Sequence, residues 1–104
     1  MNIIIAGDGE VGFHLAKLLS GEHHNITIVD PHEELLKMIE SHTDLMVVTG
    51  DSTSLQVLES ANVKRTDLII SVVHNEQINI LTCILGKKLG AKRSIARIQN
   101  AEYL

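Results

Sequence analysis

Aromatic side chains are almost missing from this sequence: one Phe, one Tyr and no Trp among 104 residues. The core must therefore be aliphatic, and a surface that binds nucleic acid by base stacking has almost nothing to stack with. A basic excess is missing too. Nine Lys and Arg against thirteen Asp and Glu leave a formal charge of -4, the wrong sign for displacing counterions from a phosphate backbone. Nucleic acid is thus disfavoured as a partner, whereas a local site for one small anion is not. The single cysteine, Cys83, cannot close an intrachain disulfide and has no companion thiolates for a metal, which fits a reducing compartment. Six histidines are present, but none stands in an HExxH or Cys/His spacing, so no metal site is expected. No stretch approaches about 20 apolar residues, and no basic segment precedes the first strand-like run, so neither a membrane span nor a signal peptide is expected.

What is present is enough for one globular domain: 44% hydrophobic and 21% charged residues, at a length typical of a single core. Short β-branched runs alternate with helical periodicity. Strands are expected at Asn2 to Ala6, Ile26 to Val29, Leu45 to Thr49, Leu68 to Val73 and Ser94 to Ile98. The first four are apolar at both alternating positions, as in parallel strands covered on both faces. Between them, Val11, Leu15, Leu18 and Leu19 mark one amphipathic helix ended by Gly21, and Leu35, Leu36, Met38 and Ile39 a second. Leu55 and Leu58 mark a short third helix. Ile78, Leu81, Ile84, Leu85 and Leu89 mark a fourth, closed by Lys87, Lys88 and Gly90. The pattern predicts an α/β fold, a Rossmann-like doubly wound parallel sheet of about five strands in the order 3-2-1-4-5 with helices on both faces. Only Gln99 to Leu104 follow the last expected strand, which suggests a fragment of a longer chain.

Between the first strand and helix stands Gly7-Asp8-Gly9-Glu10-Val11-Gly12, a G-x-G-x-x-G in the context that gives it meaning. Gly7 allows the tight turn, Gly9 lets backbone approach a pyrophosphate, and Gly12 lets helix pack on sheet, while the helix N-terminus attracts the anion. Asp30, 18 residues after Gly12, is positioned to accept the hydroxyls of an adenosine ribose and to repel a 2'-phosphate. Asp30-Pro31-His32-Glu33 also reads as a helix cap with Pro31 at the first helical position. Glu10, in the phosphate loop, penalises ATP more than the less charged pyrophosphate of NAD, because a carboxylate about 4 Å from a phosphate costs on the order of 1 to 4 kcal/mol.

A second acidic turn, Gly50-Asp51-Ser52-Thr53, follows the third strand where an adenine would lie. Asp51 and Thr53 have the groups to bond that base, and Thr53 to Gln56 also satisfies a capping box. Past Val73 come His74, Asn75 and Asn79, on a loop expected to face the glycine turn and the far half of a dinucleotide. Asn75 is equally an N-cap. Arg97, near the end of the fifth strand, has the charge to neutralise a phosphate or to form a surface salt bridge.

Taken together, IIIAGDGEVGFHLAKLL, ITIVD, GDSTSLQVLESANV and DLIISVVHNEQIN with a closing ARIQNAEYL resemble the N-terminal nucleotide-binding domain (RCK or KTN, TrkA-N) of the Trk potassium-uptake regulator family. The resemblance implies a domain that binds NAD(H), or ATP, ADP or AMP, at the cytoplasmic face of the inner membrane. It implies pairing into a homodimer or higher oligomer, control of a membrane-embedded potassium channel or transporter subunit, and no catalysis. By resemblance Gly7, Gly9 and Gly12 line the phosphates, Asp30 the ribose, and Asp51 with Thr53 the adenine. Glu10 stands where family members favouring ATP commonly carry Arg, which points to NAD(H). The alternative is the cofactor domain of an NAD-dependent dehydrogenase parted from its catalytic domain, and a third reading is a scaffold that binds nothing.

Overall fold

Three consecutive isoleucines in the first strand, β1 (Asn2–Ala6), set up the architecture. Successive side chains of a strand point to opposite faces, so Ile3 and Ile5 enter one core and Ile4 the other. Each is buried, which requires helices on both sides. In the computed structural model, which describes residues 1–99, five parallel strands lie in the order β3-β2-β1-β4-β5. Beside β1 run β2 (Asn25–Asp30) and β4 (Leu68–Ser71), with β3 (Met46–Thr49) and β5 (Arg93–Ala96) at the edges. Register pairs Ile5 with Ile28 on one side and with Ile70 on the other. This is the expected doubly wound sheet in the expected order. Residues 100–104, Tyr103 among them, lie outside the described residues.

Helices α1 (Glu10–Ser20) and α2 (Glu33–His42) cover one face, where Ala16, Leu36 and Ile39 meet Ile3, Ile5, Ile26 and Ile28. On the other face, α3 (Leu55–Ser60), a 3-10 turn (Val63–Arg65) and α4 (Glu76–Leu89) close Leu58, Val63, Leu85 and Leu89 over Ile4, Val29 and Ile69.

Two helices are turned so that only part of the expected face meets the sheet. In α1, Leu15 and Leu19 pack on the core as expected, but Val11 and Leu18 are exposed, Leu18 at 77%, and the fully buried residues are Gly12 and Ala16. The cause is Gly12: a Cβ built on it would lie 3.5 Å from both Gly7 Cα and Ile5 Cγ2. Seating that glycine on the sheet turns Val11 and Leu18 away. In α4, the buried face is Asn79, Thr82, Cys83 and Gly86, whereas Leu81 and Ile84 are about half exposed. Here Gly86 permits the close approach, since a Cβ on it would meet Ile69 Cδ1 at 2.9 Å.

Both right-hand strands are shorter than expected. β4 ends at Ser71 and not Val73, because the backbone N–H and C=O of Val73 bond to the Asn79 side chain and not to a neighbouring strand. β5 spans Arg93–Ala96 in place of Ser94 to Ile98; Arg97 N–H still donates to Ser71 C=O at 2.9 Å, and the ladder stops there. Leu45 falls outside β3 because its N–H turns to the Thr43 hydroxyl.

Candidate functional site

All five strands end on one side of the sheet, and the candidate site lies there at the seam between β1 and β4. Gly7 N–H donates to Val29 C=O at 3.0 Å and so carries β1 into the turn. A Cβ on Gly7 would lie 3.3 Å from Gly12 Cα, so strand end and helix start touch through backbone. Gly9 has φ 149° and ψ -145°, a region essentially reserved for glycine. Nothing lies within 4 Å of the position its Cβ would take. Helix α1, whose N-cap is Gly9, has no side-chain cap, so no capping side chain takes up its first-turn N–H groups.

Asp30 closes the floor of this turn. It is 1% exposed, and its Oδ2 accepts from Gly9 N–H at 2.8 Å. Its Oδ1 accepts from His32 N–H at 2.8 Å, with His32 Nδ1 also 2.8 Å away. The carboxylate therefore shapes the glycine turn directly, and the half-exposed His32 ring stands over its outer oxygen. Asp30 is not the cap of α2, as its sequence context suggests. That position belongs to His32, and Pro31 precedes it. One of the acid's oxygens is turned back to the glycine turn and the other is taken by His32, so the helix starts later.

Across the seam, Asp8 reaches the loop after β4. Its carboxylate accepts from His74 N–H at 3.0 Å and lies 2.9 Å from His74 Nδ1. Desolvation pushes the Asp8 carboxyl up, but the bonds from His74 and the charges of His74 and His32 outweigh it and hold the group below its usual value. On the other flank, Gly50 N–H donates to Asp30 C=O at 3.0 Å. Thr53 N–H and hydroxyl donate to Asp51 Oδ1 at 2.8 and 2.7 Å, and these bonds hold the Asp51 carboxyl low. Thr53 is thus occupied with Asp51 and does not cap α3. Ser54 does, accepting from Val57 N–H. Ser52 is buried, its hydroxyl 2.9 Å from that of Thr82 on α4. Asn75 caps α4 as its sequence suggests, accepting from Gln77 and Ile78 N–H.

Gly7, Asp8, Pro31, Asp51, Ser52, Val73 and Asn75 line one cleft of about 180 Å³. Ile78 joins them, missed because its spacing reads as core. Glu10 and Val11 sit exposed on the first turn of α1 outside that lining, and Arg97 follows β5 at the next strand over. Asn79 is enclosed behind the cleft wall at 0% exposure. A larger cleft of about 630 Å³ lies at the opposite edge of β4 and β5, lined by Met1, Asp67, Lys92, Arg93 and Ile95 among others. It holds no glycine turn and no helix N-terminus, so the carboxyl edge is the candidate site. Cys83 is buried, and desolvation pushes its thiol up against weaker pulls from Ser94 and Ser71, which makes it a poor nucleophile. Among the described residues no three His, Cys, Asp or Glu side chains gather as metal ligands, and no helix is long and apolar enough to cross a membrane.

The sequence matches the TrkA-N domain description over residues 3–104. It is 40% identical over 105 positions to the Trk system potassium uptake protein TrkA of Haemophilus influenzae, covering 100% of this chain and 23% of that protein. It is 36% identical over 104 residues to a TrkA homolog of Archaeoglobus fulgidus, again 100% of this chain and 23% of the relative. The chain therefore spans about a quarter of these relatives. Its backbone superposes on the NAD(P)-binding domain of an exopolyphosphatase-related protein of Archaeoglobus fulgidus with a TM-score of 0.81 at 16% identity, covering 96% of this chain and 74% of that one. The TrkA-N domain of an Escherichia coli inner membrane protein gives 0.63 at 12% identity, with 90% and 85% covered.

Proposed function

The chain belongs to the TrkA-N domain family, and from that premise we propose that it is the nucleotide-binding regulatory domain of a potassium-uptake system, with NAD(H) as its ligand. The observation that carries this reading is the open side of Gly9. A backbone in a glycine-only conformation, with free space where a side chain would stand, adjoins an uncapped helix N-terminus. A pyrophosphate needs that combination. Helix N–H groups supply the donors, so an acidic chain holds an anion without a basic surface. Gly7 and Gly12 bring the helix close enough to aim them.

Asp30 at the end of β2 takes the ribose, and the Asp51–Thr53 turn beside it takes the adenine. The Val73–Asn75 wall meets the far half of the dinucleotide. The cleft of about 180 Å³ falls below the roughly 300 to 1,000 Å³ of closed small-molecule sites. The ligand therefore lies along the sheet edge with only its middle enclosed. For ribose to reach Asp30, the His32 ring must swing off Oδ1, which its half-exposed position allows. Glu10 beside the phosphates disfavours ATP, and Arg97 offers a positive charge just past β5. The domain is read as part of a longer cytoplasmic protein that pairs with copies of itself on a membrane-embedded potassium channel or transporter. Ligand binding then acts by favouring one conformation of that assembly; a hundredfold preference is about 2.7 kcal/mol of bias.

Calorimetric titration with NADH, NADPH and ATP tests the reading. NADH is expected to bind most tightly. His32→Ala, which uncovers the Asp30 carboxylate, should strengthen NADH binding, and Asp30→Ser should raise NADPH relative to NADH by roughly tenfold, about 1.4 kcal/mol. Equal affinity of the native chain for NADPH and NADH would remove the ribose assignment.

A further inference from the structure

Asn79 sits on the inward face of α4 with all of its hydrogen-bonding capacity committed. Its Oδ1 accepts from the Ser71 hydroxyl and from Val73 N–H, both at 2.8 Å. Its Nδ2 donates to Val73 C=O at 2.9 Å and to Arg97 C=O at 3.0 Å. A carboxamide offers two lone pairs and two N–H groups, so nothing is left over for a ligand. Both backbone groups of Val73, where β4 has ended, are thus held by one side chain. The next residue, His74, turns straight to Asp8 on the glycine turn. The separation between the two walls of the cleft is therefore set from behind, by an amide with 0% exposure.

We propose that Asn79 is a positioning residue for the cleft: it holds the Val73–Asn75 wall at the distance from Gly7 and Asp8 that the far half of a dinucleotide requires, without touching the ligand. This rests on the nucleotide reading above. The adenosine half meets the end of β2 and the Asp51–Thr53 turn, to which Asn79 makes no bond. Its effect is consequently confined to one end of the ligand. The wall relaxes when the amide is removed, because buried N–H and C=O groups left without partners seek others.

The test is titration of the native chain, Asn79→Ala and Ser71→Ala with NADH and with AMP, at a temperature where circular dichroism shows each fully folded. Ser71→Ala deletes one of the four bonds and leaves the amide in place, so it reports even where Asn79→Ala does not fold. NADH affinity should fall about tenfold in Asn79→Ala and a few-fold in Ser71→Ala, while AMP affinity stays within about twofold. A purely structural role would weaken both ligands together, leaving their ratio constant. An unchanged ratio in the folded variants overturns the positioning role alone. A native chain that binds neither ligand overturns the nucleotide reading and this inference with it.

Discussion

Asp8 and Asp30 look alike in the sequence, both acids at strand ends, and the structure gives them opposite tasks. Asp30 faces inward and holds the glycine turn from the end of β2, whereas Asp8 faces across the seam and ties that turn to His74. The glycine spacing made the turn legible, and Asp30 was legible as its acid. His32 was not, because an imidazole one residue past a proline carries no signal that it will fold back on the preceding carboxylate. Asn75 was read correctly as a cap because capping is local. The Asp8–His74 tie spans 66 residues, beyond the reach of any local pattern. The tie has a pH signature. The folded carboxyl of Asp8 lies below its ordinary value of 3.8, so its stabilisation is fully present above that value and is lost as pH falls through the lowered one. Native chain and Asp8→Asn should therefore differ in urea midpoint near neutrality and converge in acid. A constant gap from about pH 7 to pH 3 would show that the charge contributes nothing.

Among the elements, α1 and α4 teach the same lesson. In each, the face read from apolar spacing is only partly inward, Leu15 and Leu19 in α1 and Leu85 and Leu89 in α4, because a small residue must touch the sheet, Gly12 against Gly7 and Gly86 against Ile69. Periodicity locates a helix well, but its rotation is set by the closest approach, and apolar spacing gives no weight to a residue without a side chain. The inner face of α4 is also polar: Thr82 bonds Ser52 while Asn79 gathers Ser71, Val73 and Arg97. One helix thus reaches both walls of the cleft. The turn after β3 depends on a similar fit. A Cβ on Gly50 would stand 2.6 Å from Val57 Cγ2 on α3, so Gly50→Ala should cost about 1 to 3 kcal/mol in denaturant unfolding. Val57→Ala should relieve part of that cost in the double variant, and strict additivity of the two changes would place the strain elsewhere.

For the molecule as a whole, class and strand order were legible because alternating runs with a central NIIIA leave few topologies open. Strand ends were less so: Val72 and Val73 are as β-branched as the residues before them, and only a side chain from another element ends the ladder at Ser71. The candidate site occupies the line where the two halves of the sheet meet. Since a ligand along the carboxyl edge would touch both halves, NADH is expected to slow amide exchange at Val72, whose N–H donates to Ala6 C=O at 2.8 Å. The β2–β3 ladder should change less, and uniform slowing at both would indicate only global stabilisation.

That seam also has a history in time. β1 can join β2 as soon as α1 has formed, with Asn2 opposite Asn25, but its other edge waits for β4, where Ile3 meets Leu68. The first pairing closes a short loop and the second a much longer one, so the halves assemble in sequence. During synthesis β1 therefore stands as an open edge until more than half of the chain has emerged. The groove between β1 and β4 is the last part of the sheet's centre to form, so the nucleotide site proposed there is completed only once β4 has paired with β1.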